Sequence, residues 1–227
     1  MKDEILTYRE MCDTERVQTL QRGMNYRLRP DHSVLLMSQR SNAPYDDRIL
    51  EDGVSIIYEG HDVPRTGVGI DPKTKDQPYT TIGGKLTQNG LFVEAVKKYQ
   101  QGDKPEAVHV YEKLFSGVWS FRGRFNLVDY EYVLSGGRKV FKFQLSLSTD
   151  TGIATDTGIK ERTRIIPTEV KKEVWKRDGG RCVICGATDE LHFDHDIPYS
   201  KGGSSITADN VRILCARHNL GKHDKIE

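Results

Sequence analysis

Four potential metal ligands stand in two short pairs near the end of the chain. Cys182 and Cys185 form a Cys-x-x-Cys pair, and Cys215 and His218 form a Cys-x-x-His pair thirty residues later. Pairs of this kind lie on tight turns and can bring four donors to one tetrahedral Zn²⁺ ion without strain. A closed shell of four ligands leaves no open coordination position. We therefore expect a structural zinc that supplies much of the folding free energy of a small domain.

Between and beside the two pairs lie polar residues that could act on a phosphodiester. Asp194 and His195 are adjacent, Asn210 stands alone, and Asn219 directly follows the second pair. A neutral histidine can take a proton from water, while carboxylate and amide oxygens suit a hard cation such as Mg²⁺. One base and oxygen donors beside a structural zinc predict a protein that cuts nucleic acid.

The charge of the chain is nearly balanced. Its 227 residues include 34 Lys and Arg against 33 Asp and Glu, so a phosphate-binding surface must come from local clustering. No stretch reaches the length of a membrane span and no apolar signal follows the N-terminus, which favours the cytoplasm and argues against a membrane partner. A reducing cytoplasm disfavours disulfides, which supports metal ligation by the clustered cysteines.

The length allows two domains, and the fold class that the pattern predicts is α+β. Weak helical periodicity predicts an N-terminal helix over residues 1–25, with a dimerisation arm as the alternative. Residues 26–148 carry β-branched and aromatic runs separated by Gly, Pro and Asp, which predict a curved β-sheet or barrel with a helix from Leu91 to Tyr99. Small polar residues indicate a linker over 149–166, and a second domain follows over 167–227.

The C-terminal block resembles the HNH nucleases, the ββα-metal class, over residues 167–225. That family has an Asp-His-Ile-x-Pro strand end, an isolated Asn and a Cys-x-x-Cys-His-x-x-Lys helix. These correspond here to the stretches around His195, Asn210 and Cys215, and the lead-in Val-Trp-Lys-Arg-Asp-Gly-Gly-Arg-Cys also fits. The resemblance implies a small zinc-stabilised domain of two strands and a helix.

Two positions depart from the family pattern. His218 stands where the last zinc Cys is usual, and Asn219 replaces the third signature His. Both changes keep the chemistry, because His binds Zn²⁺ and an Asn carbonyl oxygen binds Mg²⁺. The resemblance implies that His195 is the general base and that Asn210 braces its loop. It also implies that Asp194 and Asn219 hold one Mg²⁺ or Mn²⁺ ion at the phosphate.

A passage of the N-terminal domain from Tyr45 to Gly60 resembles the opening signature of SRA domains. In that family a Tyr-x-x-Asp segment leads to a Gly and then to an aromatic strand ending in Tyr-x-Gly. Looser similarities follow in order at Asp76-Gln77, Lys85–Asn89, Trp119–Tyr130 and Phe141–Leu145. Arg122 stands where the family usually has Asp. The resemblance implies an SRA-like domain over residues 26–148.

SRA domains flip a modified cytosine out of the duplex into an aromatic pocket. The resemblance implies that Tyr45 and Tyr58 sandwich the base. It further implies that Asp46 or Asp47 accepts a hydrogen bond from the cytosine amino group. The spacing from Tyr45 to Gly53 is one residue off the family pattern, which leaves the choice of Asp open. Each Tyr has an alternative role as a core aromatic with its hydroxyl at the surface.

Together the resemblances imply a modification-dependent restriction endonuclease for duplex DNA that carries 5-methylcytosine or 5-hydroxymethylcytosine. Its cofactors would be structural Zn²⁺ and catalytic Mg²⁺ or Mn²⁺. One alternative is an HNH endonuclease whose first domain recognises unmodified sequence, DNA structure or another modification. The other is a non-catalytic zinc-stabilised DNA-binding module. A domain with one active site nicks one strand, so double-strand cutting requires a homodimer or two independent nicks.

Overall fold

Ten strands and four α-helices make up the described part of the chain. The computed structural model describes residues 3–65, 71–148, 165–197 and 204–222, so the predicted linker lies outside it except for residues 165 and 166. The strands are β1 (Asp3–Leu6), β2 (Met24–Arg29), β3 (His32–Met37), β4 (Arg48–Ile49), β5 (Ser55–Glu59), β6 (Glu106–Phe115), β7 (Val118–Ser135), β8 (Arg138–Leu147), β9 (Leu191–His195) and β10 (Val211–Cys215). The helices are α1 (Tyr8–Thr14), α2 (Gln88–Gln100), α3 (Thr168–Asp178) and α4 (Ala216–Lys222). None of these helices is long and apolar enough to span a lipid bilayer.

All ten strands join one sheet. Its main path runs β10-β9-β1-β7-β6-β3-β2, while β8 branches from β7 and continues to β5 and β4. The pairings are antiparallel except for β3 with β6, which is parallel. Within the described residues the pairings form a branched path and not a ring. The α+β prediction is thus confirmed, whereas its barrel alternative is not shown.

The N-terminal segment contains a strand and a short helix in place of the single helix predicted for residues 1–25. A capping box starts α1, in which the Thr7 side chain accepts from Glu10 N and the Glu10 carboxylate accepts from Thr7 N at 2.7 Å. Because the helix begins only after this box, Asp3–Leu6 stay extended and pair with β7 and β9. The helix prediction was wrong here because those partners lie far away in sequence, where local periodicity carries no signal.

The N-terminal unit, defined here as β2–β8 with α2, has its own hydrophobic core. The helix predicted for Leu91–Tyr99 is confirmed within α2, which starts after Thr87, whose hydroxyl accepts from Gly90 N. Its buried face, including Phe92, packs against the strands in the largest apolar cluster. The runs that predicted strands coincide with β3, β5, β6, β7 and β8.

The C-terminal unit consists of α3, β9, β10 and α4. β9 and β10 pair in register from His195↔Val211 to Leu191↔Cys215, and α4 begins directly after β10. This is the strand, strand and helix arrangement that the sequence predicted. Pro167 is the N-cap of α3, and Thr168, its first residue, donates its hydroxyl to Glu112 Oε1 at 2.8 Å.

Candidate active site and metal centre

The first pair of predicted zinc ligands lies on a turn that glycines make possible. After α3 the chain passes Gly180 at φ 65°, where an added Cβ would lie 2.6 Å from Trp175 Cζ2, so the close approach of ring and backbone requires glycine. The next turn is closed by bonds from Cys182 N to Ala187 O and from Gly186 N to Cys182 O, both 2.8 Å. In the second pair, Cys215 ends β10 and His218 lies in the first turn of α4.

The four ligand side chains have the spacing of a tetrahedral zinc shell. Cys185 Sγ lies 3.8 Å from Cys215 Sγ. His218 Nδ1 lies 3.4 Å from Cys182 Sγ and 3.3 Å from Cys215 Sγ, and all four donors lie within 4.8 Å of one another. Tetrahedral bonds of about 2.3 Å to sulfur and about 2.0 Å to nitrogen separate S···S by about 3.8 Å and S···N by about 3.5 Å. The residues present therefore fit one Zn²⁺ ion, whereas a disulfide would need about 2.05 Å.

The Cys182 thiol is biased toward the form that binds metal. Burial by itself raises its pKa, but hydrogen bonds from backbone groups of the two turns and from the His218 ring lower this pKa to about 6. The thiolate is the ligand for zinc. These contacts therefore favour ligation by Cys182. At Cys215 a backbone hydrogen bond from His218 lowers the pKa, but burial and the two neighbouring thiols outweigh it and raise that pKa.

Asp194 and His195 end β9, and a buried lysine from α4 holds both. His195 Nε2 lies 2.8 Å from the Ser205 hydroxyl, which fixes the ring. Asp194 Oδ2 accepts a hydrogen bond from Lys222 Nζ at 2.7 Å, and the same ammonium group contacts the His195 carbonyl oxygen. Lys222 is 3% exposed, so its ammonium group contacts Asp194 and His195 and not solvent.

Asn210 bonds to the residues on both sides of the segment 198–203, Ile197 before it and Ser204 after it. Its Oδ1 accepts from Ile197 N at 2.8 Å, and its Nδ2 donates to Ile197 O at 3.1 Å and to Ser204 O at 2.9 Å. Its backbone carbonyl also accepts from Asp196 N at 2.9 Å. These contacts are of the kind that the predicted bracing role requires.

Asn219 lies on α4 between a zinc ligand and the buried lysine. It is half-buried, directly follows His218 and precedes Lys222 by three residues. Residues three apart share one face of a helix, so Asn219 and Lys222 lie on the same side of α4. Because Lys222 touches Asp194, this face of α4 adjoins the end of β9. The predicted base His195 and the predicted oxygen donors Asp194 and Asn219 thus lie on two adjoining elements, β9 and α4.

Two of the four residues predicted for a base pocket, Tyr45 and Asp46, lie at the surface of the N-terminal unit. Lys73 Nζ lies 4.1 Å above the centre of the half-buried Tyr45 ring. Asp46 Oδ2 lies 2.7 Å from Arg48 Nη2 and 3.1 Å from Lys142 Nζ, and these bonds lower the Asp46 pKa. Asp46 is therefore already engaged by two cations, and a base stacking on that face of Tyr45 would displace Lys73.

The other two predicted pocket residues, Asp47 and Tyr58, are buried. Tyr58 is 3% exposed, belongs to the largest core and donates to Leu36 O at 3.4 Å. Asp47 accepts from the backbone N–H groups of Ser38 and Glu59, both at 3.1 Å, and burial raises its pKa to about 7. Tyr58 thus lies where its alternative role as a core aromatic would place it, and its stacking on a base stays a prediction.

A buried group of charged side chains near Tyr45 was missed by the sequence analysis. Arg138 is 6% exposed and binds Asp62 Oδ1 at 2.6 Å and Glu59 Oε1 at 3.3 Å. The Asp62 backbone N–H donates to the Tyr45 hydroxyl at 3.5 Å. Arg138 lies on β8 and Glu59 ends β5, whereas Asp62 lies in the segment after β5. Glu59, which ends an otherwise apolar strand, is the local signal that could have pointed to this group.

A second cluster with cation-binding residue types fastens α1 to the sheet. His32 Nε2 lies 2.8 Å from Glu15 Oε2, and His109 Nδ1 lies 2.9 Å from Glu15 Oε1. The Tyr111 hydroxyl also donates to Oε1, at 2.5 Å. Burial raises the Glu15 pKa, but these three hydrogen bonds outweigh it and lower the pKa to about 2. The distances are those of hydrogen bonds, so we assign the cluster to the fold and not to a metal.

Comparison with protein families finds one match at the C-terminal end. Residues 182–225 match the model of the family described as HNH endonuclease. The match spans both ligand pairs together with Asp194, His195, Asn210 and Asn219. No curated protein sequence matches the chain.

Solved structures with a similar chain path include an SRA domain and a restriction enzyme. SUVH5 SRA bound to fully hydroxymethylated CG DNA is 20% identical with a TM-score of 0.45, over 63% of this chain and 86% of that chain. The modification dependent TagI restriction endonuclease is 20% identical with a TM-score of 0.42, over 96% of this chain and 75% of that chain. KRYPTONITE in complex with mCHG DNA and SAH is 15% identical with a TM-score of 0.44, over 69% and 34%. Similarity at this level describes the course of the chain and identifies no substrate.

Proposed function

We propose that this chain, an HNH endonuclease by its residues 182–225, cuts duplex DNA beside a modified cytosine. The observation that carries the proposal is the Asp194-His195 pair at the end of β9, beside a partner strand and helix that four zinc-ligand side chains fix. We assign cutting to residues 167–227 and base recognition to residues 26–148. The SRA-like signature from Tyr45 to Gly60 favours 5-methylcytosine or 5-hydroxymethylcytosine as the base.

His195 is the proposed general base. A neutral imidazole takes the proton of the attacking water, and the contact with Ser205 holds the ring for this transfer. Lys222 binds one carboxylate oxygen of Asp194 and so orients that side chain. Oxygens of Asp194 and Asn219 would hold Mg²⁺ or Mn²⁺, which stabilises charge on the phosphate and the departing oxygen.

The four zinc ligands are proposed to position the helix that completes the site. Zinc held by these side chains has no open coordination position and is structural. Cys215 and His218 flank the start of α4, so their ligation fixes the helix on which Asn219 and Lys222 lie. Asn210 supports the loop after His195 through its bonds to Ile197 and Ser204.

Asp47 and Tyr45 are the residues that we propose to contact the flipped base. An acceptor in a shielded site is stronger than one in water, and Asp47 is buried whereas Asp46 is exposed. Asp47 is also anchored by two backbone donors. The half-buried Tyr45 ring would stack on the base in place of Lys73, and Tyr58 would support the pocket from the core.

The test is cleavage of matched duplexes that carry cytosine, 5-methylcytosine or 5-hydroxymethylcytosine, with Mg²⁺ or Mn²⁺, followed by mapping of the ends. We expect a modified duplex to be cut at least tenfold faster than the unmodified one. His195→Ala should slow cleavage by about 10²–10⁴-fold and spare binding. Equal cutting of all three duplexes would remove base recognition and leave an HNH endonuclease of another specificity. Binding without any cutting would leave a DNA-binding module.

The number of strands cut by each binding event is settled by the same assay. A single active site predicts nicks, and double-strand breaks then arise from a homodimer or from two separate events. Breaks that rise more steeply than the first power of protein concentration would identify the dimer.

A further inference from the structure

One row of cross-strand partners runs through both units of the sheet. Glu112 on β6 pairs with Ser120 on β7, and Ser120 pairs with Ile5 on β1. Ile5 pairs with Leu191 on β9, which pairs with the zinc ligand Cys215 on β10. β1 therefore has a hydrogen-bonded neighbour on each edge. The backbone pairing continues from the N-terminal unit to the zinc turn without a break.

Apolar side chains from both units also share one core. The cluster built on β9 and β10 includes Ile5 from β1 and Leu114 from β6, together with Phe193 from the C-terminal unit. Phe115 and Val118, at the β6–β7 turn, pack against its edge. Separating the two units would expose these surfaces to water, which opposes separation.

Four charged side chains meet at the same junction, of which Lys171, Arg122 and Glu112 are buried and Asp3 is partly buried. Lys171 on α3 is fully buried, with Nζ 2.6 Å from Asp3 Oδ1 and 2.9 Å from Ser120 Oγ. Arg122 on β7 donates to a backbone carbonyl just before α3 at 3.1 Å, and its Nη1 lies 3.5 Å from Glu112 Oε2. Two cations and two carboxylates thus balance across α3, β1, β6 and β7. A buried charge is costly unless its partners are in place, so this group favours one relative placement of the elements.

We propose that Lys171 is a positioning residue that holds the two units as one body. In consequence, the spacing from the bound modified base to the cut phosphodiester is set by β1 and Lys171, and not by the length of residues 149–164. The statement about cut positions rests on the proposed function. The statement that the two units form one body does not, and it can be tested without DNA.

The first experiment places a protease site within residues 149–164 of the full chain and cuts it. We expect the two fragments to migrate together in size-exclusion chromatography and to retain zinc. Lys171→Ala removes the ammonium group and leaves Asp3 and Ser120 without that partner. The fragments of this variant should separate at least tenfold more readily, because removing one partner of a buried ion pair is strongly destabilising. Glu173→Gln, an exposed change on the same helix, should match the parent. Separation of the fragments of the otherwise unchanged chain would overturn the proposal.

The second experiment maps cuts on a duplex with a single modified cytosine. A Gly-Ser insertion after Gly158 should leave the cut positions unchanged, while Lys171→Ala should spread them over neighbouring phosphodiesters. Cut positions that move with the insertion, or that stay equally narrow in Lys171→Ala, would contradict the positioning role. If unmodified DNA is cut as fast as modified DNA, the proposed function fails, and the fragment experiment still decides whether the units form one body.

Discussion

Lys222 Nζ lies 2.7 Å from Asp194 Oδ2 and also contacts the His195 carbonyl oxygen, so one ammonium group joins α4 to the end of β9. Lys222→Met keeps most of the stem and removes the donor. We expect the free energy of unfolding to fall by about 1–3 kcal/mol, because two acceptors lose their partner. We also expect single-turnover cleavage to slow at least tenfold, because Asp194 loses its orientation. Arg217→Met, an exposed change on α4, should alter neither quantity. Wild-type cleavage by Lys222→Met would show that Asp194 is oriented by other contacts.

Loss of one of the four proposed zinc ligands should unfold the C-terminal unit. Cys215→Ser is expected to abolish stoichiometric zinc and to remove the cooperative unfolding of α3, β9, β10 and α4, because zinc binding contributes directly to folding. Metal analysis and near-UV circular dichroism measure both effects. His218→Cys should keep zinc with four thiolates, and Cys12→Ala, a buried cysteine outside the shell, should keep it as well. Full zinc content in Cys215→Ser would rule out this ligand set.

Binding of modified DNA should strengthen as pH rises through neutrality. Burial raises the Asp47 pKa to about 7, so this side chain is a neutral acid below that pH and a carboxylate above it. The cytosine amino group can donate only to an acceptor, and the carboxylate is the better one. Fluorescence anisotropy between pH 6 and 8 should show the rise for the parent and for Asp46→Asn, and a flat profile for Asp47→Asn. A rise that persists in Asp47→Asn would assign the titration to another group.

The Glu15 cluster should make stability depend on pH in the acid range. The Glu15 pKa is lowered from 4.5 to about 2 in the folded protein, so its contribution is complete above about pH 4.5 and is lost as pH falls toward 2. A shift of this size corresponds to about 3 kcal/mol. Urea unfolding from pH 3 to 7 should show Glu15→Gln to be less stable at neutral pH and less sensitive to acid. Glu51→Gln, at the surface, should follow the parent curve.

Chemistry that depends on short spacing could be predicted from the sequence. Cys182 with Cys185, and Cys215 with His218, lie three residues apart, so local turns place them and the structure needs little else to bring them together. The strand, strand and helix order of the C-terminal unit followed from the same stretch. Amphipathic periodicity likewise located α2.

Features built from distant segments could not be predicted. β1 is a strand because Ser120 and Leu191 supply its partners, and its own four residues hold no comparable signal. The sequence around Lys171 is typical of a solvent-exposed charged helix, yet Lys171 is buried and bonds to Asp3 and Ser120. The burial of such a residue depends on distant segments, and the local sequence pattern carries no information about them.

The choice between adjacent residues was also beyond the sequence. Asp46 and Asp47 are chemically identical, and the family spacing did not separate them. Both residues lie just before β4, where Asp46 bonds to Arg48 and Lys142 on the outside and Asp47 accepts from two backbone donors on the inside. One position along the chain therefore separates a surface ion pair from a buried acceptor.

The placement of β1 between β7 and β9 has a consequence for the order of folding. The sheet is complete only when Asp3–Leu6 meets Leu191–His195, which closes a loop that contains most of the sequence. Closing so long a loop costs entropy and is slow compared with hairpin formation. Refolding should therefore build β6, β7 and β8, and separately the β9–β10 pair, early, and should add the junction at β1 late. The two units would thus each form before their relative placement is fixed.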